Sequence, residues 1–240
     1  MQLYARLDLH SRNTYIGVLD QEFNRVFKKR VTNDLKLILK TLNPFRSELK
    51  GFVVESTYNW YWLIDGLMDS GYQCVHLANP SAIKQYEGLK HADDQHDAFF
   101  LAHLLILGIL PQGYIYPKED RPVRDLARKR MFLVQHKTAH ILSLQSLIAR
   151  CCAKRVSSNQ MRHLTLDDLQ LWLKEEHLVL SAQANLDSIR FLTRQIKQIE
   201  KTINNKIKLN KAFQNLLTVP GIGNILAMTI MLEVVEPAMI

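Results

Sequence analysis

Four carboxylates occupy positions where a sheet-based site would need them. Asp8 interrupts the otherwise apolar strand pattern of QLYARLDLH. Glu55 ends the apolar run GFVVE, at the C-terminal edge of a buried strand, where α/β sheets collect their ligands. Asp94 and Asp97 open an apolar helix three residues apart and so share a face; Asp93 competes with Asp94 but has the poorer face geometry. Each has an ordinary explanation alone: a half-exposed strand, a strand terminus, a favourable charge at a positive helix start. Together they predict a cluster that repels itself unless cations occupy it. Hard oxygen donors suit Mg²⁺ or Mn²⁺, and two such ions about 4 Å apart fit phosphodiester chemistry.

The elements that must position these residues read as an α/β unit over residues 1–117. Strands are predicted over 2–10, 13–21 and 25–31, joined by tight turns as an antiparallel meander. Asn33 is expected to cap the helix DLKLILKTL. A buried strand follows over 51–57, then a helix from Asn59 to Ser70 closed by Gly71. A strand over 72–78, a short helix from Ser81 and a helix from His91 to Leu110 complete a mixed-sheet β-β-β-α-β-α-β-α order. Of the aromatic residues after Glu55, Tyr58, Trp60, Tyr61 and Trp62, helical spacing favours packing over base stacking. Lys28, Lys29 and Arg30 fit a charge-protected edge strand.

From Arg121 strand signals vanish. One long helix is predicted from there, and a second begins at a Thr165 cap and runs through TLDDLQLWLKEEH. Leu186, Ile189, Leu192, Ile196, Ile199, Ile203 and Ile207 form a near-heptad stripe, expected to build an antiparallel coiled-coil pair or bundle and to join protomers as a homodimer or higher homo-oligomer. Residues 213–240 carry Pro-Gly-Ile-Gly between two apolar stretches. This reads as a helix-hairpin-helix whose Gly221 and Gly223 would let backbone N–H groups approach a phosphate. Such a hairpin buries little by itself, so this region reads as a truncated domain. Cys151 and Cys152 are expected to be buried helix residues. His136 and His140 stand four apart without a nearby third ligand, which argues against zinc.

Composition agrees with a folded chain: of 240 residues, 47% are hydrophobic and 22% charged, which excludes a disordered protein. Three cysteines point to a reducing, intracellular setting, and the first residues lack a secretory signal. The longest apolar run, residues 98–110, would rise about 20 Å as a helix against the ~30 Å of a bilayer core, so no membrane span is expected. The net charge of +8 is uneven: residues 1–117 carry 12 Lys/Arg and 12 Asp/Glu, residues 118–212 carry 19 and 9, and residues 213–240 carry none and 2. A neutral first unit and a basic second one suggest a polyanion partner for the second. Arg121, Arg124 and Arg128 lie on one helix face with Lys129 and Arg130 beside them, the candidate phosphate-contacting patch.

The stretches LDLHSRNTYIGVLD, FVVEST, KHADDQHDAFFLAHLL and LLTVPGIGNILAMTIMLEV resemble the DEDD transposases of bacterial insertion sequences. That family includes the Piv/MooV invertases and the bridge-RNA-guided recombinases. The resemblance implies a RuvC-like (RNase H-fold) domain, a coiled-coil segment and a C-terminal transposase domain. It implies that Asp8, Glu55, Asp94 and Asp97 form a Mg²⁺-binding catalytic tetrad, and that a C-terminal serine attacks DNA. No serine follows Ser188, so strand transfer by this chain alone is not expected. DNA, an optional structured guide RNA and a cytoplasmic, nucleoid-associated location are implied with it. Two other readings stay open: a non-catalytic DNA- or RNA-binding remnant or regulator, and a RuvC-like metal-dependent nuclease.

Overall fold

The computed structural model describes residues 1–55, 58–83, 94–208 and 210–233, with the side chains of 94–98 outside the description. The chain divides into two compact units, Met1–Tyr116 and Pro117–Ile240.

The first unit is a six-stranded mixed sheet. Strand β1 (Leu3–Leu9) pairs antiparallel with β2 (Asn13–Asp20), which pairs antiparallel with β3 (Arg25–Thr32). On its other side β1 pairs parallel with β4 (Leu49–Glu55), and β4 with β5 (Val75–Ala78). A short β6 (Gln112–Gly113), not foreseen from the sequence, adds antiparallel to β5, giving the order β3-β2-β1-β4-β5-β6. The meander lies where expected, and β3 with Lys28, Lys29 and Arg30 is an edge strand.

Alternation along β1 sorts its residues between the sheet faces. Leu3, Ala5, Leu7 and Leu9 join Ile38 and Leu42 of helix α1 (Leu35–Leu42) and Leu63, Ile64 and Leu67 of helix α2 (Tyr61–Asp69) in one apolar core. Trp60, Tyr61 and Trp62 pack on this core, whereas Tyr58 is exposed. Gly71, with φ +84°, turns the chain out of α2. A short helix α3 (Pro80–Ile83) follows β5. The opposite sheet face is covered by helix α4 (Asp94–Ile106), through Phe99, Leu101, Ala102 and Leu104 against Leu19, Val53 and Ala78. The expected start of α4 at His91 lies outside the described residues.

The cap of α1 departs from expectation. Asp34 holds the N-cap, its carboxylate accepting from the Lys36 and Leu37 N–H groups at 2.8 and 3.2 Å. Asn33 instead accepts from the Thr14 hydroxyl at 2.8 Å and donates to the His10 carbonyl at 2.8 Å. Either residue satisfies cap preferences; the buried Thr14 hydroxyl needs a partner and takes Asn33.

The second unit is helical. Helix α5 (Arg121–Cys152) and helix α7 (Glu176–Ile207) each run 32 residues. They lie antiparallel: Arg130 meets Glu200 near one end, and His140 meets Asn185 further along. The α7 stripe is covered within the chain. Leu186 and Ile189 pack with Leu144, Leu147 and Ile148, and Ile203 and Ile207 pack with Ala127. Pairing of protomers through this stripe therefore does not fit, because α5 already occupies it. The helix capped by Thr165, α6 (Leu166–Trp172), stops short of the expected length: Leu173 is extended and α7 starts separately. Cys151 is exposed and Cys152 half-buried, because α5 ends there at the surface. Helix α8 (Lys211–Leu217) and helix α9 (Asn224–Glu233) flank the Pro-Gly-Ile-Gly turn. They are not isolated: Phe213, Ala227, Met228 and Leu232 pack at the Ala127 end of the helix pair.

Candidate active site

Parallel pairing of β1 with β4 sets Arg6 beside Val53 and Leu7 beside Val54. One residue further on, Asp8 and Glu55 reach the same sheet edge, on the face that α4 covers. Between them lies Arg6, a residue that sequence reasoning did not single out. Arg6 is buried, its side chain 7% exposed, and its Nη2 stands 3.4 Å from Asp8 Oδ2 and 3.7 Å from Glu55 Oε2. A buried guanidinium requires opposite charge nearby, and two neighbouring carboxylates require a cation. The available signal was an arginine two residues before Asp8, hence on its face of the strand.

His10 adds a third group: its Nε2 stands 3.5 Å from Asp8 Oδ2 and its ring meets Tyr15 edge-on at 5.6 Å. The His10 carbonyl accepts from the Asn33 and Asn59 side-chain amides at 2.8 and 3.4 Å. The β1–β2 turn is thereby tied to the segments preceding α1 and α2.

Two glycines set how α4 crosses the sheet. A Cβ on Gly17 would lie 2.6 Å from the Phe99 ring, and one on Gly51 would lie 3.0 Å from Leu105. Gly17 pairs with Arg6 and Gly51 with Tyr4. Going from Leu105 back to Phe99, α4 thus moves from the level of Tyr4 to that of Arg6. Its first turn, carrying Asp94 and Asp97, continues toward the Asp8 and Glu55 end; the side chains of these two residues lie outside the described residues. Among the described residues, no three His, Cys, Asp or Glu side chains are grouped as metal ligands. Two hard carboxylates sharing one guanidinium nevertheless carry net negative charge, and their side chains are 23% and 32% exposed. In donor chemistry and access the pair fits a divalent cation.

A family model for the DEDD transposases of the IS110 type, described as a transposase, matches residues 6–153. The chain belongs to this transposase family. Membership makes it a transposase or recombinase by class, with DNA as the implied partner and a divalent metal as the usual companion of the DEDD site. No curated protein matches the chain. Among the described residues, no helix of this transposase is long and apolar enough to cross a membrane.

The expected nucleic-acid residues of α5 have partners within the chain. Arg121 is 5% exposed. Arg124 and Arg128 both bind Glu233, at 3.0 and 2.7 Å, and Arg130 binds Glu200 at 2.7 Å. Lys129 lies over the Phe132 ring at 4.7 Å. The Glu233 carboxyl is held below its usual range, first by the Arg128 hydrogen bond and against the opposing effect of burial. Gly221, with φ +88°, adopts a conformation that glycine favours, and a Cβ on Gly221 or Gly223 would meet nothing within 4 Å. The backbone of that turn is open on this side.

Proposed function

We propose that this chain supplies the metal-binding and nucleic-acid-binding parts of an insertion-sequence DNA transposase. In this reading the first unit is RuvC-like, and Asp8, Glu55, Asp94 and Asp97 hold Mg²⁺ or Mn²⁺. The observation that carries the reading is the meeting of Asp8 and Glu55 at one edge across a shared Arg6, with α4 starting toward the same end. The bound metal would polarise a phosphodiester oxygen. The protein's own residues do the rest: β1 and β4 fix the carboxylate spacing, and Arg6 offsets their repulsion before a cation enters. His10 adds a polar group at the mouth. Serine-dependent strand transfer is not assigned to residues 189–240, which contain no serine. The open turn at Gly221 and Gly223 supports a helix-hairpin-helix contact with a phosphate. A guide RNA belongs to the same proposal, as does a homo-oligomeric state through a surface other than the α7 stripe.

The test is Mn²⁺ binding to the full chain, followed by calorimetry and by the Mn²⁺ electron paramagnetic signal. Wild type is expected to bind, with Asp8→Ala and Glu55→Ala each weakening binding by more than about tenfold, already the scale of losing a group that only supports a metal ligand. Binding that is indifferent to both substitutions would sink the site. Mg²⁺-dependent nicking of element-end DNA then separates catalysis from a binding-only role: nicking lost in Asp8→Ala supports the enzyme. Binding without nicking supports the regulator.

A further inference from the structure

The strongest unassigned feature lies where α5 ends. Between Asp125 and Asp167 the sequence holds eight Lys/Arg and no Asp or Glu. At the start of α5 such cations are matched by Glu233 and Glu200. Beyond its end, Lys154, Arg155 and Arg162 are exposed, and among the described residues no carboxylate forms an ion pair with them. Lys154 and Arg155 line a cavity of about 470 Å³, whose wall also includes Gln160, His163, Asp168 and Trp172.

This cavity is built into the fold. Ala153 ends α5 with φ +50°, a left-handed conformation unusual for alanine, and turns Lys154 and Arg155 onto the rim. The following loop is tied down from both long helices. Gln145 Nε2 donates to the Val156 carbonyl at 2.7 Å, and Arg190 Nη2 to the Leu164 carbonyl at 2.9 Å. Val156, Met161, Leu164 and Leu169 are buried beneath it. A reciprocal capping box between Thr165 and Asp168 fixes the start of α6.

The lining selects its occupant. Trp172 is half-buried, and the Lys154 ammonium lies over its ring, 4.3 Å from the centre, so a base that stacks there takes the place of Lys154 and leaves that cation to its phosphate. An aromatic ring with two cations at its rim suits a base and its phosphate. The cavity falls within the usual size of a small-ligand pocket, about 300–1,000 Å³, which is too small for a duplex. Asp168 takes its Thr165 bonds through Oδ2, which leaves Oδ1 as an acceptor for a base amino group.

We propose that this pocket takes one unpaired nucleotide of a DNA or RNA strand. Its base would stack on Trp172, and its phosphate would lie among Lys154, Arg155 and His163. This site is independent of Asp8 and Glu55, so either assignment can fail without the other. The probes are a fluorescein-labelled mixed-sequence single-stranded DNA dodecamer, the RNA of the same sequence and the corresponding DNA duplex. Binding of each to the full chain is read by fluorescence anisotropy. Trp172→Leu is expected to weaken single-strand binding about 5- to 150-fold, the effect of one lost stacking contact, while duplex binding changes less than about twofold. Lys154→Gln with Arg155→Gln should weaken single-strand binding and lower the salt slope by about 1.4 for two lost phosphate contacts; exposed Lys197→Gln is the charge control. Trp172→Phe keeps a ring and is expected to stay within about threefold of wild type. The tighter of the DNA and RNA probes identifies the strand. Absence of single-strand binding, equal losses for strand and duplex, or a Trp172→Leu variant that binds as wild type would overturn the proposal.

Discussion

Both ends of α5 are basic, but only one of them is matched by carboxylates. At its start, Arg124, Arg128 and Arg130 face Glu233 and Glu200. The glutamates come from α9 and α7, 105 and 70 residues along the chain from Arg128 and Arg130. At its end, Lys154 and Arg155 form no ion pair among the described residues, although the Asp168 carboxylate lines the same cavity, and Lys154 rests on Trp172. A run of positive charge in a sequence is therefore not yet a nucleic-acid surface. What distinguishes structural cations from available ones is whether the fold brings a carboxylate to them. Arg6 is the extreme structural case, buried between Asp8 and Glu55.

The largest effect is expected at Arg6. Arg6→Met leaves two neighbouring carboxylates without their shared cation, and removing one partner of a buried ionic group costs about 3 kcal/mol. The thermal midpoint should fall by roughly 6–12 °C, and added Mg²⁺ should recover part of it. An unchanged midpoint would mean that Arg6 is not structural, and the contrast with the α5 tip would weaken. Next is Glu233→Gln, which leaves Arg124 and Arg128 without their carboxylate. With both partners partly solvated, about 1–2 kcal/mol of stability should be lost, with faster hydrogen exchange in α9. Exchange confined to α8 would contradict the clamp.

The pH dependence follows from the same clamp with a smaller effect. The folded Glu233 carboxyl titrates below its usual range. Its contribution is therefore fully present above the ordinary glutamate value of ~4.3 and is lost as pH falls through the lowered one. The stability gap between wild type and Glu233→Gln should shrink in acid; a gap that widens there would reverse the assignment. The smallest stability effect belongs to the tip. Lys154→Gln with Arg155→Gln should change stability by less than about 0.5 kcal/mol while reducing single-strand affinity. Arg128→Gln should do the converse. Were the two variants to behave alike in both assays, the distinction between structural and available cations would be lost.

Much of the first unit was legible from local pattern. Apolar alternation in β1 and β2 and the tight turns between them marked the meander, and Lys28, Lys29 and Arg30 marked an edge. The carboxylate positions followed from where those patterns broke. Boundaries were less legible: Asn33 and Asp34 both suit a helix cap, and the Thr14 hydroxyl decided between them. The short β6 has no pattern of its own and exists because β5 offers it an edge. The α7 stripe was plain in the sequence, but its partner was not, since another protomer and α5 would satisfy the same apolar spacing.

By itself the sequence determined what depends on neighbours within a few residues. That includes strand alternation, helix periodicity, the helix cap at Thr165, the glycine at 221 and the basic bias of residues 118–212. Only the tertiary structure decided what depends on pairing across the chain. It set Arg6 between Asp8 and Glu55, matched the α5 arginines with Glu233 and Glu200, and left Lys154 and Arg155 beside Trp172. The physical reason is range: side-chain spacing along a backbone is set by local geometry, whereas the partner of a charge is set by which distant segments the core brings together.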